Sequence, residues 1–324
     1  GGNGGVCERN TPRKRCDGCK KDERIVFRID PEAFRFITYI LFWVMCFTAI
    51  LITKFYMQAF LLAGPGNVTN SCSPFKMDDF PGSDPVDRTN GFDIFTESPL
   101  KQVLGYNNIC ITWDFTPSRE IIAVIYAYVE YALITYIVVE FTLAAISYKK
   151  GYVSKRYWKV HKIMFPINLV LCASFRMIFV VAVDDNLRGH TAGFVSLQLA
   201  LISVALLNMF QIFETNVCYP FLGSIKNTRR AAIAFVTIEV VLSVLSTYLH
   251  AYIVFGWGLG DDGHSGHMFP LWAKEMFLGT TWSVGSVIDN SWMAITAVCP
   301  LFIAYVQMKT EPALIITIDL EPPN

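Results

Sequence analysis

Six stretches of this chain are apolar for long enough to cross a bilayer: Ala33 to Leu62, Ser118 to Ser147, Ile163 to Val183, His190 to Phe213, Ala231 to Trp257 and Lys274 to Met308. A helix rises about 1.5 Å per residue, so about 20 such residues cover the hydrocarbon core. The runs are continuous rather than alternating, and a lipid-exposed backbone must satisfy its amides within its own segment, so helices are expected and strands are not. Asp30-Pro31, Thr116-Pro117-Ser118 and Pro270 supply helix-start signals before the first, second and sixth runs. The expected fold is all-α, a polytopic membrane helix bundle with six transmembrane helices. Composition agrees: charged residues are 17% and mean hydropathy is +0.40, against roughly 25% charged residues in soluble domains. Most of the 324 residues are used by one membrane domain, 33–308, flanked by tails 1–32 and 309–324. A zero formal net charge argues against nucleic acid as a partner. The chain begins at Gly1 without Met or a signal-peptide pattern, as a processed or trimmed chain would.

The basic residues are divided unevenly between the two sets of loops. One set carries Arg9, Arg13, Lys14, Arg15, Lys20, Lys21, Arg24 and Arg28, then Lys149, Lys150, Lys155, Arg156, Lys159 and Lys162, then Lys226, Arg229 and Arg230, and finally Lys309. The other is poor in them, with Lys76, Arg88, Lys101 and Arg188 among aspartates. By the positive-inside rule both termini are expected in the cytoplasm. The long loop 63–117 then faces the opposite side. It contains the glycosylation acceptor Asn67-Val68-Thr69, and Cys72 and Cys110 form a candidate disulfide in an oxidising compartment. These features imply a plasma-membrane or secretory-pathway membrane; in an organellar membrane such as the mitochondrial one, the acceptor would carry no meaning.

Charges inside the apolar runs are the main functional signal. Arg176 cannot be deprotonated, so in hydrocarbon it requires a carboxylate, the bundle interior or a water-filled cavity. Glu130 and Asp289 are the expected partners, with Glu140, Glu239 and His250 completing a ladder across the membrane. Glu239, Ser243, Ser246 and His250 recur at i, i+4, i+7 and i+11 and share one helix face, as do Asn168, Cys172 and Arg176, a face that continues to Asp184. Asn208 and Gln211 on the fourth run, and Thr280, Ser283, Asp289 and Asn290 on the sixth, extend the polar set. An unpaired Glu239 and the imidazole of His250 are candidates to bind and release protons. Singly, the serines and asparagines also serve as interhelical glue.

Metal and redox chemistry have weaker signals. His264 and His267 lie with two aspartates on a glycine-rich turn, and Cys7, Cys16 and Cys19 lie in the basic N-terminal tail, with CxxC spacing between the last two. Those cysteines are equally candidates for palmitoylation, and the basic residues between them for anionic lipid headgroups. A haem would need axial histidines at matching depth; His161 and His190 fall at opposite ends of the bundle, leaving His190 and His250 on one side. The chain has no Ser/His/Asp motif, phosphate loop, HExxH helix or lysine in the last span. No cofactor is assigned. The β-prone segment Ala313 to Leu320 is expected to pair with a sheet edge of a partner or to lie on the membrane surface. Three function classes follow. The first is a transporter- or channel-like protein with an internal polar pathway for a small solute, ion or proton. The second is a non-catalytic structural or accessory subunit of a homo- or hetero-oligomeric membrane assembly, and the third is a membrane-embedded redox or metal enzyme.

Overall fold

Five of the six expected spans start or stop within about eight residues of where apolar content alone places them, and the sixth is shortened at its start by a hairpin. The computed structural model describes residues 24–61, 109–114, 117–181, 187–254, 274–276, 280–282, 284–308 and 314–319. Strand β1 (Arg24–Ile29) leads into α1 (Pro31–Leu51), which continues as a π-helical stretch, Ile52–Leu61. Helices α2 (Ser118–Lys149), α3 (Lys155–Ser174), the single turn α4 (Met177–Val180), α5 (Leu187–Thr215) and α6 (Ile225–Val254) follow. A small hairpin of β2 (Lys274–Met276) and β3 (Thr280–Trp282) precedes α7 (Val284–Gln307), and β4 (Leu314–Asp319) follows it. Six of these helical segments are long and apolar enough to cross a membrane.

Local chemistry accounts for the helix boundaries. Asp30 caps α1, its carboxylate accepting from the Glu32 amide at 3.0 Å, with Pro31 in the first turn where no amide is needed. Ser154 caps α3 by accepting from the Tyr157 amide at 3.2 Å. The end of α2 is a Schellman motif: the Tyr152 amide donates to the Ser147 carbonyl and that of Gly151 to Tyr148, with Gly151 at φ +77°. These stops lengthen the spans into the basic loops, so that α3 begins at Lys155 rather than Ile163, and α6 at Ile225 rather than Ala231.

The third span departs from expectation at its other end. It is not one helix to Val183 but breaks at Phe175 and Arg176. The Phe175 and Arg176 amides turn to the i−3 carbonyls of Cys172 and Ala173, and the Tyr126 hydroxyl donates to the Cys172 carbonyl at 3.3 Å. The helix therefore tightens and redirects, and α4 docks on α5 at Gly193, where a Cβ would stand 3.1 Å from the Ile178 nitrogen.

The main helices contact one another in cyclic order, α1 with α2, α2 with α3, α3 with α5, α5 with α6, α6 with α7, and α7 back to α1. This up-and-down ring brings both described chain ends to one end of the bundle, the end that also carries the basic residues 149–162 and 226–230. There β1 and β4 pair antiparallel, Arg24 opposite Asp319 through Ile29 opposite Leu314. The C-terminal segment expected to reach a partner's sheet edge thus pairs with this chain's own N-terminal strand. At the far end, the last residues of the long loop fold inward: Cys110, Ile111 and Trp113 are buried among Met45, Ala49, Ile122, Phe175, Ile178, Phe194 and Trp292. The Thr112 carbonyl accepts from Ser118 at 2.6 Å and from Thr53 at 3.2 Å, fastening that turn to α2 and to the end of α1.

Candidate functional site

The polar residues expected to form one ladder instead fall into separate groups. Arg176 and Glu130 meet as expected, Nε donating to Oε2 at 2.6 Å. The pair is lopsided: the Glu130 side chain is 3% exposed and that of Arg176 64%. Placed at the helix break, Arg176 reaches back from the bundle surface to neutralise a buried carboxylate. Asp289 takes no part in it.

Asp289 belongs to a second group that the α6 stripe builds with α5 and α7. Glu239, Ser243, Ser246 and His250 are all buried, as their spacing requires. Ser246 Oγ donates to Asp289 Oδ1 at 2.6 Å and accepts from Gln198 Nε2 at 2.9 Å, while His250 places Nδ1 3.3 Å from Ser246 Oγ and Nε2 3.3 Å from Asp289 Oδ2. The Gln198 carbonyl oxygen in turn accepts from Thr247 at 2.7 Å, and Ser243 accepts from the Trp292 indole at 2.7 Å. A serine, a histidine and an aspartate therefore meet where no sequence motif announced them. Their order is not that of an activated nucleophile. The single Ser246 proton goes directly to the carboxylate, and His250 spans the same two residues through its two ring nitrogens. Ser246 is 0% exposed, and neither of the two cavities described below reaches it. A buried hydrogen-bonded network of this kind locks helices together. Beside it, His190 faces Asp114 at 3.5 Å and the Val181 carbonyl at 3.1 Å.

The largest described cavity lies in the half of the bundle nearer the chain ends. Its volume is about 360 Å³, and it is enclosed by α1, α5, α6, α7 and the 3-10 turn Pro220–Leu222. Its walls are apolar, with Val204, Ala205, Ile212, Val236 and Ile303 among them, and Pro300 interrupts the α7 hydrogen-bond ladder along one side. Alanines at 205, 231 and 232 and Cys299 leave the space that larger side chains would fill. A few polar groups converge on it: Glu239, Arg35, Tyr39 and Asn208. Glu239 is 2% exposed, and its Oε2 has no hydrogen-bond partner. Tyr39 and Cys299 lie within electrostatic reach of it. Arg35 is held by Glu32 at 2.5 Å, by the Gln307 side-chain oxygen and by the face of the Tyr136 ring at 5.5 Å.

A second cavity of about 30 Å³ adjoins Asn168, Glu140, His161 and Asn208, with space for about one water. Asn168 Oδ1 is buried there without a hydrogen-bond partner, and Asn208 accepts from the Tyr136 hydroxyl at 2.9 Å. Asn290 is exposed and donates to Ser286 at 3.1 Å, outside every one of these groups. Arg35, Tyr39, Gln198, Asp114 and Trp292 were not singled out from sequence. Arg35 carried a usable signal, an arginine three residues after Glu32 at the mouth of the first span; the others become partners only once the helices are packed. Among the described residues no group of three or more His, Cys, Asp or Glu side chains is arranged to hold a metal ion. Cys110 is buried in the far-end plug, where burial holds its thiol well above the ordinary cysteine range. Cys72, Asn67, His264, His267, Cys7, Cys16, Cys19, Asp184 and the side chains of Thr280 and Ser283 lie outside the residues described.

The fold and its composition define a six-helix, multi-pass integral membrane protein. No protein-family model, no curated protein and no solved structure matches the chain.

Proposed function

We propose that this protein binds a small membrane-dissolved ligand in the cavity beside Glu239, acting as a carrier or receptor that its ligand enters from the lipid phase. The observation that carries this reading is the cavity itself. About 360 Å³ of apolar-walled space with a few convergent polar groups has the size and character of a small-molecule site, whereas the described residues toward the far end pack into the Ile111 and Trp113 plug and the Ser246, His250 and Asp289 network. Such a protein belongs to the transporter-like class, but with lateral rather than end-to-end access. The end bearing the basic loops and the β1–β4 pair is taken as cytoplasmic, on the positive-inside rule.

Native mass spectrometry of the extracted protein tests this. A retained species of a few hundred daltons is expected, and Ala205→Phe, which fills the cavity, should abolish it in a folded protein. A wild-type protein that never carries such a mass would refute the reading. A separate arm tests an aqueous pathway along α6. Cysteines at 243 and 246 should resist a membrane-impermeant thiol reagent from both sides, because those positions are 1% and 0% exposed; modification at either would restore the channel-like alternative. The accessory-subunit reading keeps one specific support, the two-stranded β1–β4 sheet, on which Phe27 and Ile315 are exposed.

A further inference from the structure

The binding reading above leaves the ligand's chemistry open, and the cavity's polar groups narrow it. The charge of Arg35 is paired with Glu32 and its guanidinium is further held by Gln307 and the Tyr136 ring, leaving only its buried Nε without an acceptor. Glu239 is in the opposite position: its Oε2 is buried, faces the cavity region and has no donor. A buried acceptor without a donor is expensive, and a ligand that supplies the donor recovers that energy on binding. The rest of the wall demands an apolar body. Val298 and Phe302 on α7 and Phe221 on the Pro220–Leu222 turn line the cavity and are each about half exposed, at 49%, 50% and 50%. Phe221 and Phe302 meet edge to face, ring centroids 5.2 Å apart, and form part of the cavity's rim.

We infer that the Glu239 cavity takes a single-chain amphiphile whose head group donates a hydrogen bond, a hydroxyl or an ammonium, inserted past the Phe221–Phe302 rim with its head at Glu239. This rests on the proposed binding function and specifies its ligand class. A phosphodiester, sulfate or carboxylate head lacks the donor.

The test uses three photoreactive, alkyne-tagged probes of one chain length: a long-chain alcohol, the corresponding primary amine and the methyl ether. The full-length protein in lipid nanodiscs is labelled with each, and the labelled peptides are mapped. Expected labelling falls on residues 231–239 and 298–303, with the alcohol or the amine exceeding the ether by about tenfold, the ratio that one hydrogen bond to a charged group supports. Glu239→Gln keeps an acceptor but removes the charge. It should spare labelling by the alcohol and abolish labelling by the amine, which tells the two heads apart. Glu239→Leu should abolish preference for either, with retained thermal unfolding confirming a folded variant. If all three probes label the cavity equally in the wild-type protein, the head-group inference fails and the binding site stands. If none labels it, both fail.

Discussion

Arg176 shows how far one residue's meaning depends on where its helix ends. At the break after Ser174 its guanidinium sits on the surface and its ion pair serves Glu130 more than itself. The asymmetry gives a directional prediction. Arg176→Ala leaves the Glu130 carboxylate buried and unpaired and should destabilise the protein by about 1–3 kcal/mol. Adding Glu130→Gln should recover part of that loss, because the buried group is then neutral. Thermal unfolding of the three proteins in one detergent checks the order; a double variant less stable than Arg176→Ala would contradict it. The α6 stripe makes a related point. Four residues on one helix face look alike in sequence, yet they divide into a cavity wall at Glu239 and a closed network at Ser246 and His250, according to what α5 and α7 present opposite them.

At the scale of elements, the α4 turn is the least expected feature and the one with the tightest packing condition. It lies against α5 only because position 193 has no side chain: a Cβ there would stand 3.1 Å from the Ile178 nitrogen and 3.2 Å from the Met177 Cβ. Backbone cannot yield as a flexible side chain can. Gly193→Ala should therefore lower stability by about 1–3 kcal/mol, the range for overpacked sites, although the same change in an open helix would raise helix propensity. An unfolding midpoint equal to or above wild type would show that α4 moves freely. Gly151 offers the contrast. Open space surrounds it, and only its φ of +77°, imposed by the Schellman stop of α2, argues against a side chain.

For the whole molecule, the cyclic helix order and the β1–β4 pairing place the two ends of the described chain together. Val26 stands opposite Thr317 in that register. Cysteines introduced at both positions should therefore cross-link within one chain under mild oxidation, seen as a monomer of shifted mobility on a non-reducing gel. A disulfide-linked dimer would mean that β4 pairs with a second copy instead. Within the closed ring the far end receives Ile111 and Trp113 from the long loop, while between α1, α5, α6 and α7 the alanines and Cys299 leave room for the Glu239 cavity.

The number of spans, their approximate positions, the polar face of α6 and the need for a partner at Arg176 were all legible in the sequence. Each follows from transfer free energy and helical periodicity, which act along the chain and need no knowledge of neighbours. The helix break at Arg176 was not legible, because it involves a hydroxyl from Tyr126 on another helix. Nor was the division of the ladder into clusters, the capture of β4 by β1, or the cavity. Pairing partners and empty volume are properties of surfaces brought together from distant parts of the chain, and only the packed bundle decides that Asp289 belongs to Ser246 and His250 while Glu239 looks into open space.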